Sequence, residues 1–279
     1  MSEAPKAGGA AKLSDLGPRV ASAIVLIGAA LATVWAGGHW FALFWLAAGV
    51  AIHWEWQRLI GGPMQSARFA VGAAALAAMA AAVTNAAPDI ALLVAILAAG
   101  AVAAMAGQGL RLWAAAGVIY AAALVVSVIF LRQSLFGGFE AIVWLFATVW
   151  ATDIMAYFGG RFIGGPKLWP RVSPSKTWSG FLTGVGSGAL AGLAVAPHTS
   201  SVVVVLALTA LAAAVSQGGD LFESSVKRRF GVKDSSRIIP GHGGVMDRLD
   251  GFIAAAALAA LVGFARAGFA APAQALFHW

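Results

Sequence analysis

The chain has 279 residues, 61% of them hydrophobic and only 10% charged, where a soluble domain averages about 25% charged residues. That balance excludes a soluble catalytic domain, and zero cysteines exclude disulfides, thiolate zinc sites and thiol nucleophiles. The net charge of +7 and the pI near 10.4 read as an excess of Lys and Arg in the cytoplasmic loops of a membrane protein, so no nucleic-acid partner is expected.

Apolar runs bounded by Gly, Pro and charge predict an all-α, polytopic membrane protein with about nine transmembrane helices, near 19–36, 39–59, 68–86, 88–105, 112–131, 139–159, 179–196, 200–217 and 251–268. Residues 1–18 hold Glu3, Lys6, Lys12 and Asp15, and the span after them is too long for a signal-peptide core. They are read as an uncleaved cytoplasmic segment in front of a single transmembrane domain, 19–279. With nine spans, sixteen of the eighteen basic residues fall on the N-terminal face, and only Arg132 and Arg266 fall opposite. Adding or removing one span would put the two most basic loops, 160–178 and 218–250, on opposite faces. The expected C-terminus is therefore outside. The Ala-rich stretches 73–82 and 254–260 need only helix packing to explain them.

In the sixth span Asp153 precedes Tyr157 by one turn, about 9 Å inside the helix end at 1.5 Å per residue. A carboxylate at that depth needs a partner. Pairing with Arg161 is one reading, and a functional acid is the favoured one. The next loop carries Arg161, Lys167, Arg171 and Lys176 with no acid, and is stiffened by Pro166, Pro170 and Pro174. Ser173, Ser175, Lys176 and Thr177 could present donors to a phosphate at small entropic cost. An interfacial belt of Trp169, Trp178 and snorkelling cations would look the same.

Eleven of the 29 charged residues lie between 218 and 250, six basic and five acidic, a balance that a purely electrostatic lipid anchor would not have. On a helix, Asp220, Ser224 and Lys227 share one face, opposite Phe222, Val226 and Phe230. That stripe fits a solvated surface with a Glu223–Lys227 pair as well as it fits a phosphate and metal site. Further on, the glycines around His242 precede a helix start, where backbone N–H groups can cradle phosphate oxygens. Asp247 and Asp250 share a face of that helix, and could favour its dipole or hold Mg2+.

The run Ser224-Ser225-Val226-Lys227-Arg228, then Lys233-Asp234-Ser235-Ser236, then Ile239-Pro240-Gly241-His242-Gly243-Gly244-Val245-Met246-Asp247-Arg248-Leu249-Asp250 resembles the signature of phosphatidate cytidylyltransferases, or CDP-diacylglycerol synthases, and fills every defined position of it. Asp153 through Gly164 and Ser173 through Trp178 resemble a second shared block, and Trp54-Glu55-Trp56 a weaker one. Ser179 stands where that family usually has Glu, and Ser175 where Lys is common.

The resemblance implies CTP and phosphatidate as substrates, CDP-diacylglycerol and pyrophosphate as products, and a role in phospholipid biosynthesis. It also implies Mg2+, with or without a second cation, an all-helical membrane fold, a homodimer, and a bacterial inner-membrane location with the active site on the cytoplasmic side. Asp220 and Asp247 are then the expected metal ligands, with Asp250 and Asp153 beside them. Lys227, Arg228, Lys233, Asp234, His242 and Arg248 are the expected catalytic residues. Ser173, Ser175, Lys176, Thr177, Ser224, Gly243 and Gly244 are expected to bind substrate.

The residues themselves agree with such chemistry. A phosphomonoester has a second pKa of about 6, so a phosphatidate dianion needs no strong base to become a nucleophile. Carboxylates, metal and cations suffice to bring it to a triphosphate. Two rivals stand: a related CTP-using enzyme acting on a polyprenol or ether lipid, and an ion transporter using Glu55 and Asp153. Against the second, the charges gather at one face and no internal repeat is visible.

Overall fold

The computed structural model describes residues 16–197, 201–239, 241 and 243–279. Nine α-helices lie among them: α1 (Leu16–Ala36), α2 (Gly38–Ile60), α3 (Gln65–Thr84), α4 (Pro88–Ala104), α5 (Arg111–Arg132), α6 (Gly138–Phe162), α7 (Trp178–Val195), α8 (Val202–Arg229) and α9 (Met246–Ala267). Each coincides with an expected span. The N-terminal segment lies almost wholly outside the described residues, as does His242.

Six of these helices, α3 and α5 to α9, are long and apolar enough to cross a membrane, and the chain is a multi-pass membrane protein. α4 and the described part of α1 are apolar but shorter. α2 ends in His53, Glu55 and Gln57, three polar side chains fully shielded inside the bundle. Apolar side chains such as Leu92 and Leu97 on α4 and Val203 on α8 stay exposed, as helices facing lipid require.

Two helices depart from their spans at the polar ends. α8 continues to Arg229 and α9 starts at Met246, against expected limits of 217 and 251. Hydropathy falls where the charges begin, but the i to i−4 hydrogen-bond ladder does not stop there. A second departure is the Pro-rich loop, which folds into an antiparallel hairpin, β1 (Lys167–Trp169) with β2 (Ser173–Thr177). The Trp178 amide donates to the Pro166 carbonyl at 3.0 Å, closing the hairpin against the start of α7.

Close helix approach fixes where the site residues stand. Gly180, Gly184, Gly188 and Gly192 form a stripe along α7 that lies on α6: a Cβ at Gly184 would sit 2.8 Å from the Thr152 carbonyl oxygen, and one at Gly188 2.9 Å from that of Thr148. α6 is thereby held with Thr152 inward and Asp153 beside it. α8 crosses α9 just as tightly, since a Cβ at Gly219 would lie 2.7 Å from both the Asp250 carbonyl oxygen and the Ala254 Cβ. Asp220 and Asp250 come together because of that crossing. Trp45 stacked on Phe252, with ring centroids 5.1 Å apart, ties α2 to α9 in the core.

Candidate active site

Three acids reach the charged end of the bundle from three helices: Asp153 from α6, Asp220 from α8 and Asp250 from α9. Lys176 on β2 reaches across to Asp220, with Nζ 2.6 Å from Oδ2, and extends to the Gln217 carbonyl at 3.5 Å. Ser224, one turn along α8, donates to Asp220 Oδ1 at 3.3 Å. Asp153 lies in the electrostatic field of Asp220, Lys176 and Arg248, and Asp250 in that of Asp220, Asp153 and Lys227. Residues from 153, 176, 220 and 248–250 thus share one charged basin.

Beside it, Lys227 is clamped between two carboxylates, 2.6 Å from Glu223 Oε2 and 2.7 Å from Asp247 Oδ1. Glu223 is fully buried, so this pair is an internal bridge rather than a solvated helix surface. Asp247 is saturated. Its Oδ1 accepts from Lys227, its Oδ2 from the Gly244 amide at 2.8 Å and the Ser235 hydroxyl at 3.0 Å, and both oxygens face the Ser235 amide.

Glu55 does a parallel job from α2. Its buried carboxylate accepts from the hydroxyls of Ser235 (3.1 Å) and Ser236 (2.6 Å) and from the amides of Val245 (2.9 Å) and Met246 (2.7 Å). α9 has no side-chain cap of its own, so a helix some 190 residues earlier in the chain satisfies two of its orphan N–H groups and complements its dipole. The glycine turn closes around these two carboxylates. A Cβ at Gly244 would collide with the Ser235 hydroxyl and with Glu55, and Gly243 sits at φ +81°.

The remaining expected site residues fall in several places. Thr177 caps α7, accepting from the Gly180 amide at 3.1 Å, and bonds the Ser179 hydroxyl at 3.0 Å. Ser179 in turn donates to the Gly164 carbonyl, so the position that usually carries Glu here braces the start of the hairpin. Arg228 donates to the Val232 carbonyl at 3.3 Å and closes the end of α8. Lys233 and Asp234 are exposed on the following loop, Ser175 is exposed on the hairpin and Ser173 half-buried there. Sequence reading did not find the work of Glu55. The signal available was an acid between two tryptophans inside an apolar span.

The donor set is all hard oxygen. Among the described residues no three acids or histidines lie close enough to enclose a metal ion by themselves. Carboxylate oxygens such as those of Asp220 and Asp250 would hold Mg2+ only together with water and substrate phosphate.

A profile of the cytidylyltransferase family matches residues 17–265. The phosphatidate cytidylyltransferase of Brucella abortus biovar 1 (strain 9-941) is 44% identical over 257 residues, spanning 90% of this chain and 94% of its own length. That of Brucella melitensis biotype 1 gives the same figures. The Staphylococcus aureus (strain COL) enzyme of that name is 44% identical over 119 residues, 42% of this chain and 46% of its own. With the match running through α1 to α9 and over every residue of the charged basin, the chain belongs to the cytidylyltransferase family.

Proposed function

We propose that the chain transfers the cytidylyl group of CTP to phosphatidate, releasing pyrophosphate and forming CDP-diacylglycerol for phospholipid synthesis. Family membership and the naming of its relatives support the reaction. The observation that carries it is the basin, where carboxylates from α6, α8 and α9 meet Lys176, Lys227 and Arg248. A phosphate oxygen of phosphatidate attacks the α-phosphorus of CTP, and the bond to the β-phosphate oxygen breaks as pyrophosphate leaves with the electron pair. No proton has to be removed from the dianion first.

The protein supplies position and charge. Lys176, held by Asp220, and Arg248 offset the repulsion between two polyanions and the charge that develops on the departing pyrophosphate. Lys227 is fixed by Glu223 and Asp247, so it holds its place without reorganising during transfer. Asp220 and Asp250, with Asp153 beside them, would hold Mg2+. That ion supplies further neutralisation of phosphate charge. The basin faces the cytoplasm in this reading, because the basic residues lie on that face.

The test is purified protein in detergent with labelled CTP, Mg2+ and phosphatidate. Formation of labelled CDP-diacylglycerol and pyrophosphate is the expected result. Product from a polyprenyl phosphate or an ether lipid alone would assign a different lipid, and release of labelled phosphate without lipid product would reject transfer.

A further inference from the structure

A cavity lined by none of the basin acids lies against the 233–238 loop. Its volume is about 720 Å3, and it is walled by Trp54 and Arg58 at the end of α2 and by Lys233, Asp234 and Arg237 of the loop. The three cations approach it from two separate parts of the chain. Among the described residues none of them has a carboxylate within 4 Å. Arg58 lies over the Trp54 ring, 5.2 Å from its centroid, so a flat cationic and aromatic surface borders the space. Trp54, Arg58 and Arg237 play no part in the chemistry above.

We propose that this cavity is the seat of the nucleotide, and that Asp234 reads its base. The inference rests on the nucleotidyl-transfer reading for the identity of that nucleotide as CTP. Three cations without a carboxylate partner in one pocket call for a polyanion. A single phosphate would leave most of 720 Å3 empty, whereas pockets of about 300–1,000 Å3 suit ligands of nucleotide size. Base stacking on the Trp54–Arg58 surface tolerates any base, so it gives affinity and not choice.

Choice needs a polar group, and Asp234 is the one acid on the wall. A carboxylate accepts from the exocyclic amine of cytosine, and it repels the carbonyl oxygen that uracil presents at that position. The cavity also borders the basin's support. Ser235 on its wall is the residue that Asp247 grips beside Lys227, so the loop joins the two spaces.

Two measurements on wild-type protein and on Arg58→Ala and Arg237→Ala test this. One is equilibrium dialysis with labelled CTP in detergent without lipid. The other is initial rates against CTP and against phosphatidate. Each variant should weaken CTP binding and raise KM for CTP by about 10-fold or more, as removing a charged partner of a phosphate does, while KM for phosphatidate and kcat stay within about twofold. Arg58→Lys should recover part of the loss, since charge remains and the planar stack does not. Asp234→Asn should narrow the preference for CTP over UTP in the binding measurement.

A rise in KM for phosphatidate alone would make the cavity a lipid headgroup site and overturn the proposal, as would unchanged CTP binding in both arginine variants. Should Arg58→Ala fail to fold, Arg237→Ala on the exposed loop carries the same test. Wild-type protein that binds CTP through these arginines but makes no lipid product would sink the transferase reading and leave the pocket standing. Turnover with arginine-independent CTP binding would do the reverse.

Discussion

Asp220 and Asp247 have the same carboxylate and opposite circumstances. The Asp220 side chain is 34% exposed, with one lysine and one serine on it; that of Asp247 is 7% exposed, with every lone pair directed at a donor in the protein. Asp247→Asn leaves Lys227 with one partner fewer and turns an acceptor into a donor facing the Ser235 and Gly244 amides. Loss of one member of such a buried pair costs about 3–5 kcal/mol, so this variant should unfold at a clearly lower temperature in detergent and lose transfer with it. Asp220→Asn removes a half-exposed pair contributing at most about 1 kcal/mol, so it should melt close to wild type while transfer falls steeply. Equal melting temperatures, or the reverse order, would show that the two acids do not divide the work this way. Sequence alone ranks both as metal ligands, because spacing along a helix says which face a carboxylate is on and nothing about which of its oxygens are already taken.

Between elements, the contact that orders the site is the one from α2 to the start of α9. Glu55 stands in for a missing N-cap and pins both serines of the loop that lines the nucleotide cavity. Loss of a helix cap costs about 0.5–2 kcal/mol, too little to unfold the bundle but enough to loosen one turn. Glu55→Ala should therefore speed hydrogen exchange at Val245 and Met246 by about 10-fold, with little change in the exchange of α5 or α6. Glu55→Gln, which keeps an acceptor, should fall between. Exchange that rises uniformly across the chain would mean Glu55 supports global stability instead. Apolar runs revealed the helices themselves because burial in lipid demands about twenty consecutive apolar residues. Their polar extensions were hidden, since the helical ladder from Gly218 to Arg229 carries charges that end the hydropathy signal. The hairpin was hidden too: Pro170 and Pro174 lower β-propensity, and its pairing depends on docking against α7.

At the scale of the molecule, nine helices put the charged basin and the two ends of the described chain in a fixed relation. Glu55 and the 233–246 segment meet on one face of the bundle. On the other, Arg132 donates to the Val34 carbonyl at 2.8 and 3.0 Å, and Arg266 bonds the carbonyls of Ala275 and His278 and lies over the Trp279 ring. Among the described residues, the two basic residues that a nine-span arrangement puts on that second face are thus turned onto the chain's own backbone, and the expectation to test is that the asymmetry of Lys and Arg puts the basin face toward the cytoplasm. The chain has no cysteine, so single cysteines can be placed without background. In intact bacterial cells a membrane-impermeant maleimide should label Leu135→Cys and Ala270→Cys, both exposed on the far face, and should reach Lys167→Cys on the hairpin only after the membrane is broken. Labelling of Lys167→Cys in intact cells would invert the molecule. Leu135→Cys labelled with Ala270→Cys protected would mean an odd number of crossings between them and would overturn the arrangement in which α6, α7, α8 and α9 each span the membrane.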